Sequence, residues 1–414
     1  MIQCDTLKIH FDVYNDGMKI GVLGYRFSYY PYLRNIVHKI PDVEYIPVKD
    51  LYCNLRRASL FANHCLNKEL FPTFNLNNQF DDFELNNIDI LHLLNGISYG
   101  RTPWVTTFET VVPRFSDLMQ RYHGKFKLSI KITPLIEKGV EALAQPACKQ
   151  IIAMSSCAAR MQKDLLSEIP VDKRGTILNK LIVLHPPQDV LREQLEPRKY
   201  NTKSPIRFVL VGASFFRKGG REILLAFDKL IKEEQAPIKL CIVSSLRLDT
   251  YAAQETEADR AWALEFFRDH SDWIEYHATL TNKQVIDLIK TCDIGLLPTW
   301  AETYGFSVLE AQACGCPVIS TDIRALPEIN NSSVGWLIHV SKNEMGEALY
   351  STSEERSKLS KQIQTGLESI IRSIINDPSV IALKGQAALE RIRVEHDPQS
   401  YADRLRQIYQ SALS

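Results

Sequence analysis

The sequence predicts an α/β fold of two Rossmann-like domains followed by a helical C-terminal tail. From Ile206 onward, short β-rich runs alternate with helical patterns, and the first half repeats that alternation less regularly. Between the halves lies EQLEPRKYNTKSP, residues 193–205, polar and Pro-punctuated as an interdomain linker should be. At ~150 residues per domain, a chain of 414 residues suits this division, with expected limits at 1–198, 199–385 and, for the last helices, 386–414.

In the first half, the strand candidates are MKIGVLG (18–24), VEYIPV, DILHLLNG, PWVTTF, KQIIAMS and LIVLHPP, several of them separated by helix-like intervals. In the second half, IRFVLVG (206–212) has the unbroken apolar run of a buried strand. REILLAFDKLIKEE then sets Ile223, Leu224, Phe227, Leu230 and Ile231 on one helical face. The strand IKLCIVSS, a charged helical stretch over 259–268 and the strand WIEYHATL come next. Thr281 opens TNKQVIDLIKTC with the capping box Thr-x-x-Gln. The strands DIGLLPT, CPVIST and GWLI close the half, with helical segments at 307–314 and 325–329. The tail, 351–414, is helical in pattern, broken at Asp377-Pro378 and at His396-Asp397-Pro398, since proline cannot continue a helix.

Composition narrows the function. With 45% hydrophobic and 24% charged residues the chain is neither disordered nor collagenous. Its 49 basic and 49 acidic side chains leave no excess for a nucleic-acid backbone, so no nucleic-acid partner is expected. The nine cysteines (Cys4, Cys53, Cys65, Cys148, Cys157, Cys241, Cys292, Cys314, Cys316) show no zinc spacing and most sit in apolar runs. They read as reduced and structural, which suits a cytoplasmic protein. The opening MIQCDTLKIHFDVYNDG lacks signal-peptide character, and no apolar run approaches the ~20 residues a membrane span needs.

Two stretches carry chemistry. In DIGLLPTWAETYGFSVLEAQACGCPVIST a buried strand ends at Pro298, a loop carries Thr299, Glu302 and Tyr304, and Gly305, Phe306 and Ser307 lead into a helix bearing Glu310. Ser307-x-x-Glu310 fits a capping box. The same geometry turns the free amides at 305–307 and the positive helix end toward the carboxyl edge of the sheet, where a phosphate would be welcome. Glu302, just outside that edge, could accept hydrogen bonds from hydroxyls. The second stretch follows IRFVLVG: Gly212, Ala213, Ser214, Phe215, Phe216, Arg217, Lys218, Gly219 and Gly220, then a helix. Glycines there admit close backbone approach, and Lys218 sets a cation beside the helix start. A plain turn is the simpler reading of this stretch alone; both stretches lie at the carboxyl ends of strands in one sheet, which strengthens the phosphate reading.

The spacing Glu302-x7-Glu310 within AETYGFSVLEAQACGCPVIST, the strand-Gly...Lys-Gly turn at Lys218, and the closing INDPSVIALKGQAALERIRVEHDPQSYADRLRQIYQSAL resemble the retaining glycosyltransferases of family 4, which have the GT-B fold of two Rossmann-like domains facing a cleft. The resemblance is good from Ile206 to the C-terminus and holds only in outline before it. It implies an EC 2.4 transferase moving a sugar from a nucleotide-sugar donor on the second domain to an acceptor on the first: a glycan, a lipid-linked acceptor or a small molecule. Glu302 would contact the sugar hydroxyls and Glu310 the ribose, while Lys218 and the amides at 305–307 would hold the diphosphate. Gly212, Arg217, Thr299, Tyr304, Gly305, Phe306 and Ser307 would complete the donor side, Gly24 and Glu109 would face the acceptor, and the last helices would cross back to the first domain. No metal or other cofactor is expected, and Asp-x-Asp is absent. The chain departs from the family at Ala213, where an arginine is common, and at Glu109, where a histidine is. Those departures motivate the alternative of a non-catalytic protein that binds a nucleotide sugar or a partner.

Two further signals compete. Gly96-Ile97-Ser98-Tyr99-Gly100 matches the G-x-S-x-G elbow of a serine hydrolase, but the chain runs on into Arg101, Thr102, Pro103 and the β-like WVTTF, where an elbow needs a helix. RFSDLMQRYHGKFKLSIK, from Arg114 to Lys131, mixes basic and aromatic residues. Its plain reading is a solvated helix face; the sharper one is a peripheral contact with the inner face of a membrane, beside a lipid-linked acceptor.

Overall fold

Residues 17–26, 30–120, 122, 131–169, 171–195, 200, 204–249 and 251–414 are described by the computed structural model of the chain. The first half runs β1 (Met18–Leu23), α1 (Tyr30–Asn35), β2 (Val43–Val48), α2 (Leu51–Leu66), β3 (Gln79–Phe80), β4 (Ile90–Leu94), β5 (Ile97–Ser98), β6 (Trp104–Phe108), α3 (Ser116–Gln120), α4 (Pro134–Ala144), β7 (Cys148–Ala153), α5 (Ser156–Ser167), α6 (Val171–Leu178) and β8 (Leu181–Val183). The second runs β9 (Ile206–Val211), α7 (Gly220–Glu234), β10 (Ile238–Val243), α8 (Glu257–Asp269), β11 (Ile274–His277), α9 (Asn282–Thr291), β12 (Ile294–Leu297), α10 (Phe306–Ala313), β13 (Val318–Thr321), α11 (Leu326–Ile329) and β14 (Gly335–Ile338). Three helices end the chain: α12 (Ser353–Asn376), α13 (Ser379–Glu395) and α14 (Pro398–Leu413).

Two six-stranded sheets result, ordered β2-β1-β4-β6-β7-β8 and β11-β10-β9-β12-β13-β14, and every pairing in them is parallel. Strands β4, β6, β12 and β13 are buried along their whole length, as strands covered by helices on both faces must be. Hydroxyls among them are spent internally: Thr106 Oγ1 donates to Gly96 O at 2.8 Å and Thr321 Oγ1 to Thr299 O at 2.7 Å. In each sheet the chain builds one side of its first strand and then crosses to the other. Loops at the carboxyl ends therefore diverge between β1 and β4 and between β9 and β12, leaving a crevice at each switch point.

Most predicted elements fall where their patterns put them, and the Thr281 box forms, with Thr281 N donating to Gln284 Oε1 at 2.9 Å. The small parallel pair β3 and β5 was not expected, because two-residue strands are too short to show a period. The stretch read as a linker is anchored just before its start: Leu191 N and Arg192 N both donate to Ala313 O, at 2.9 and 3.1 Å. Leu195 packs so closely that a Cβ on Gly315 would meet it at 2.3 Å.

The tail breaks at the two proline sites. At the second, Asp397 caps α14 by accepting from Ser400 N at 2.8 Å, with Pro398 in the first turn. Helix α12 lies along α7, where Lys229 meets Glu368 at 2.8 Å and Arg372 meets Glu234 at 2.7 Å. Helix α14 lies against the first sheet, with Tyr409 OH 2.6 Å from His92 Nδ1 and Tyr401 OH donating to Asn35 O at 2.8 Å. Eight cysteines are described and all are free, seven of them buried; Cys4 lies outside the described residues, as do Arg121, Lys125 and Lys127. Among the described residues no helix is long and apolar enough to cross a membrane.

Candidate functional site

At the second switch point, the turn after β9 meets the loop after β12 backbone to backbone. Gly219 has φ +79°, and a Cβ there would lie 2.1 Å from Pro298 O, so only glycine fits. A Cβ on Gly212 would sit 2.2 Å from Lys218 Cε, which shows how tightly the lysine folds back over the end of β9. The strands fix the spacing: Trp300 N and Thr299 Oγ1 both donate to Arg217 O, at 2.8 and 2.9 Å.

This seam brings Lys218 Nζ to 3.1 Å from Glu302 Oε2, with only 13% and 16% of the two side chains exposed. Thr303 N donates to the other Glu302 oxygen at 3.1 Å. Burial pushes the Glu302 carboxyl up, but Lys218 and Arg217 outweigh it and hold the group below its ordinary value. Arg217 turns the other way, its Nε 2.7 Å from Asp249 Oδ2 and its NH1 2.6 Å from Ala301 O. Thr299 is fully buried and its hydroxyl goes to backbone carbonyls, so it holds the loop and faces no open space. Tyr304 is also buried and hydrogen-bonds His185 Nδ1 at 3.0 Å.

Helix α10 begins differently from its expected capping box. Gly305 is the N-cap and no side chain caps the helix. With the cap two residues upstream of Ser307, Ser307 Oγ is left buried and unpartnered beside the first-turn amides. Glu310, released from capping, reaches across to the first half: Tyr30 OH and, at 3.4 Å, Arg34 NH1 both donate to its Oε1. The Arg34 guanidinium also lies 4.7 Å above the Phe306 ring, and its NH2 donates to Gln188. Burial and then the Glu310 charge push the Tyr30 phenol up to about 12, so it stays a donor.

A second tie crosses between the halves. Glu328 accepts from Ser156 N and Cys157 N at the start of α5, both at 2.7 Å, and Arg324 NH2 donates to Tyr122 O at 2.8 Å. None of Tyr30, Arg34 or Glu328 was singled out from sequence. Tyr30 and Arg34 stand 280 and 276 positions from Glu310, and no local pattern reports such a pairing.

In the first half, Glu109 follows β6; its N–H donates to Asn95 Oδ1 at 3.0 Å and its carboxylate lies 3.5 Å from Arg114. These residues and Arg26 line a cavity of 360 Å³. Gly24 follows β1 at the same switch point and is exposed. Ser98 is buried in β5, its Oγ accepts from Gly100 N at 3.1 Å, and no helix follows, so there is no hydrolase elbow. Among the described residues no group of three His, Cys, Asp or Glu is placed to hold a metal ion.

Residues 192–368 match the family model described as "Glycosyl transferases group 1". A glycogen synthase of Mycobacterium tuberculosis (strain CDC 1551 / Oshkosh) is 21% identical over 283 residues, which is 68% of this chain and 59% of that protein. The chain therefore spans about three fifths of that relative's length. A glycosyltransferase from Rickettsia africae ESF-5 superposes with a TM-score of 0.52 at 14% identity, covering 90% of this chain and 86% of that one. The Anabaena protein HepE, solved in complex with UDP, gives 0.52 at 14%, covering 89% and 86%. Likeness at such identity shows the fold, which is GT-B: two parallel six-stranded α/β sheets with helices closing the chain.

Proposed function

We propose, from the premise that this chain belongs through residues 192–368 to the group 1 glycosyl transferases, that it moves a sugar from a nucleotide-activated donor to an acceptor hydroxyl with retention at the anomeric carbon. The observation that carries this is the Lys218–Glu302 pair, 3.1 Å apart at the crevice between β9 and β12. In the reaction the anomeric C–O bond breaks and the diphosphate leaves with the electron pair. A new C–O bond forms to the acceptor oxygen, whose proton passes to an oxygen of the leaving diphosphate. Charge grows on the leaving diphosphate, so donors already aimed there lower the barrier. Lys218, the α10 amides and the unpartnered Ser307 Oγ are those donors. Glu302, kept ionised by its neighbours, accepts from sugar hydroxyls, and Glu310 takes the ribose hydroxyls.

The acceptor side is the cavity beside Glu109. The basic stretch 114–131 adds a contact with anionic lipid at a cytoplasmic membrane face. Unchanged sedimentation with anionic liposomes after neutralising Arg121, Lys125 and Lys127 would remove that contact from the proposal. The main test is a thermal-shift panel of UDP-, GDP-, ADP- and TDP-sugars. A ligand at ~100 times its Kd adds about 2.7 kcal/mol, raising the midpoint by several degrees for one donor; no shift with any of them counts against the reading.

A second reading, binding without turnover, is favoured by Ala213, which offers no charge beside the turn, and by the engagement of Glu310 with the first half. Turnover with any donor and acceptor eliminates it.

A further inference from the structure

A nucleoside diphosphate brings about two to three negative charges, and each cation at the turn after β9 already shares its charge with a carboxylate. Lys218 is paired with Glu302, Arg217 with Asp249, and position 213 is alanine. One further cation is brought to this turn, from the loop after β10. Arg247 N donates to Ala213 O at 2.8 Å, and Arg247 NH2 donates to Ser214 Oγ at 3.1 Å. Ser244 Oγ fastens the same loop by donating to Ala213 O at 3.1 Å while accepting from Leu246 N at 3.1 Å. Leu246 takes φ +50° and is 1% exposed, a conformation uncommon for a side-chain-bearing residue and held only where its surroundings enforce it. The side chain that this arrangement delivers is exposed and takes part in no ion pair among the described residues. A guanidinium has five N–H donors, so one bond to Ser214 leaves the rest for an anion.

We propose that Arg247, reaching over from the β10 loop, supplies the diphosphate cation that position 213 does not. The inference rests on the donor site proposed above and adds a binding residue to it. The bond to Ser214 aims the fork and Leu246 fixes the loop, so the charge is in place before the donor arrives.

The test is calorimetric titration of UDP, GDP, ADP and TDP into wild type, Arg247→Ala, Arg247→Gln and the double variant Arg247→Ala/Ala213→Arg. Gln can keep the hydrogen bond to Ser214 without the charge, which separates charge from loop structure, and thermal midpoints without nucleotide check folding. Both single variants are expected to bind the preferred diphosphate about 10- to 100-fold more weakly, the factor a charge-assisted hydrogen bond carries. The double variant should recover affinity to within a few-fold of wild type. Wild-type affinity in both single variants overturns the role of Arg247 and leaves the donor site standing. If wild type binds none of the four diphosphates, the donor site falls and Arg247 with it.

Discussion

Glu302, in the loop after β12, and Glu310, in the helix α10 that follows, are treated by the molecule in opposite ways. Glu302 is satisfied within its own half, by Lys218 at 3.1 Å and by Thr303 N at 3.1 Å. Glu310 is satisfied from across the cleft, by Tyr30 and by Arg34 at 3.4 Å. The first arrangement is preorganised, because backbone seams at Gly219 and Thr299 hold it whatever the two halves do. The second exists only while the halves are close. In the proposed reaction a ribose held by Glu310 would have to displace Tyr30 and Arg34, whereas the Lys218–Glu302 pair is formed independently of them.

The largest effects should come from breaking the preorganised side. Glu302→Gln and Lys218→Ala should each lower transfer by about 10²- to 10³-fold or more, the scale for removing a donor aimed at developing charge. Titration should show diphosphate affinity lost in the Lys218 variant alone; full turnover in either variant would refute the assignment.

Next comes a pH effect on the contacts that keep the halves together. Burial lowers His92 to about 3 and, with smaller contributions, His396 to about 4. His92 bonds Tyr409 of α14, and His396 Nδ1 lies 2.8 Å from Pro186 O. A histidine whose folded pKa lies below its unfolded value contributes stability that is whole above about pH 6.5. That contribution is lost as pH falls from there toward the folded pKa. Urea unfolding between pH 7 and 5 should show stability falling below about 6.5 with a slope approaching 1.4 kcal/mol per pH unit for each residue. His92→Gln should lessen that slope by up to about 1.4 kcal/mol per pH unit; an unchanged slope would mean that His92 does not titrate in this range.

Smaller changes test the clasp. Glu310→Gln should weaken nucleoside diphosphate binding by about tenfold, the scale of one charged hydrogen bond. Tyr30→Phe with Arg34→Gln should do the reverse and tighten binding by a few-fold, since Glu310 no longer has to be released. Weaker binding in the double variant would mean that the clasp belongs to the donor-bound state, and the contrast between the two glutamates would have to be redrawn.

What could be read from sequence follows the range of the interactions involved. IRFVLVG and DIGLLPT announce buried strands because their signal is a run of adjacent residues, and the Lys218 turn and the two glutamates follow those strands directly. Ser307 and Glu310 misled as a capping box because Gly305 starts the helix earlier, a choice made by backbone packing. The Tyr30 and Arg34 clasp, the seat of Glu328 on α5 and the return of Arg247 to Ala213 all depend on where the two sheets and their loops meet. Leu246 carries no sign in its side chain that its backbone is left-handed.

The most direct test of the central claim is a time course of nucleoside diphosphate release from UDP-, GDP-, ADP- and TDP-sugars, with wild type beside Lys218→Ala. The Lys218–Glu302 site predicts release from one donor by wild type and none above buffer by the variant. Release by wild type that Lys218→Ala matches would contradict it.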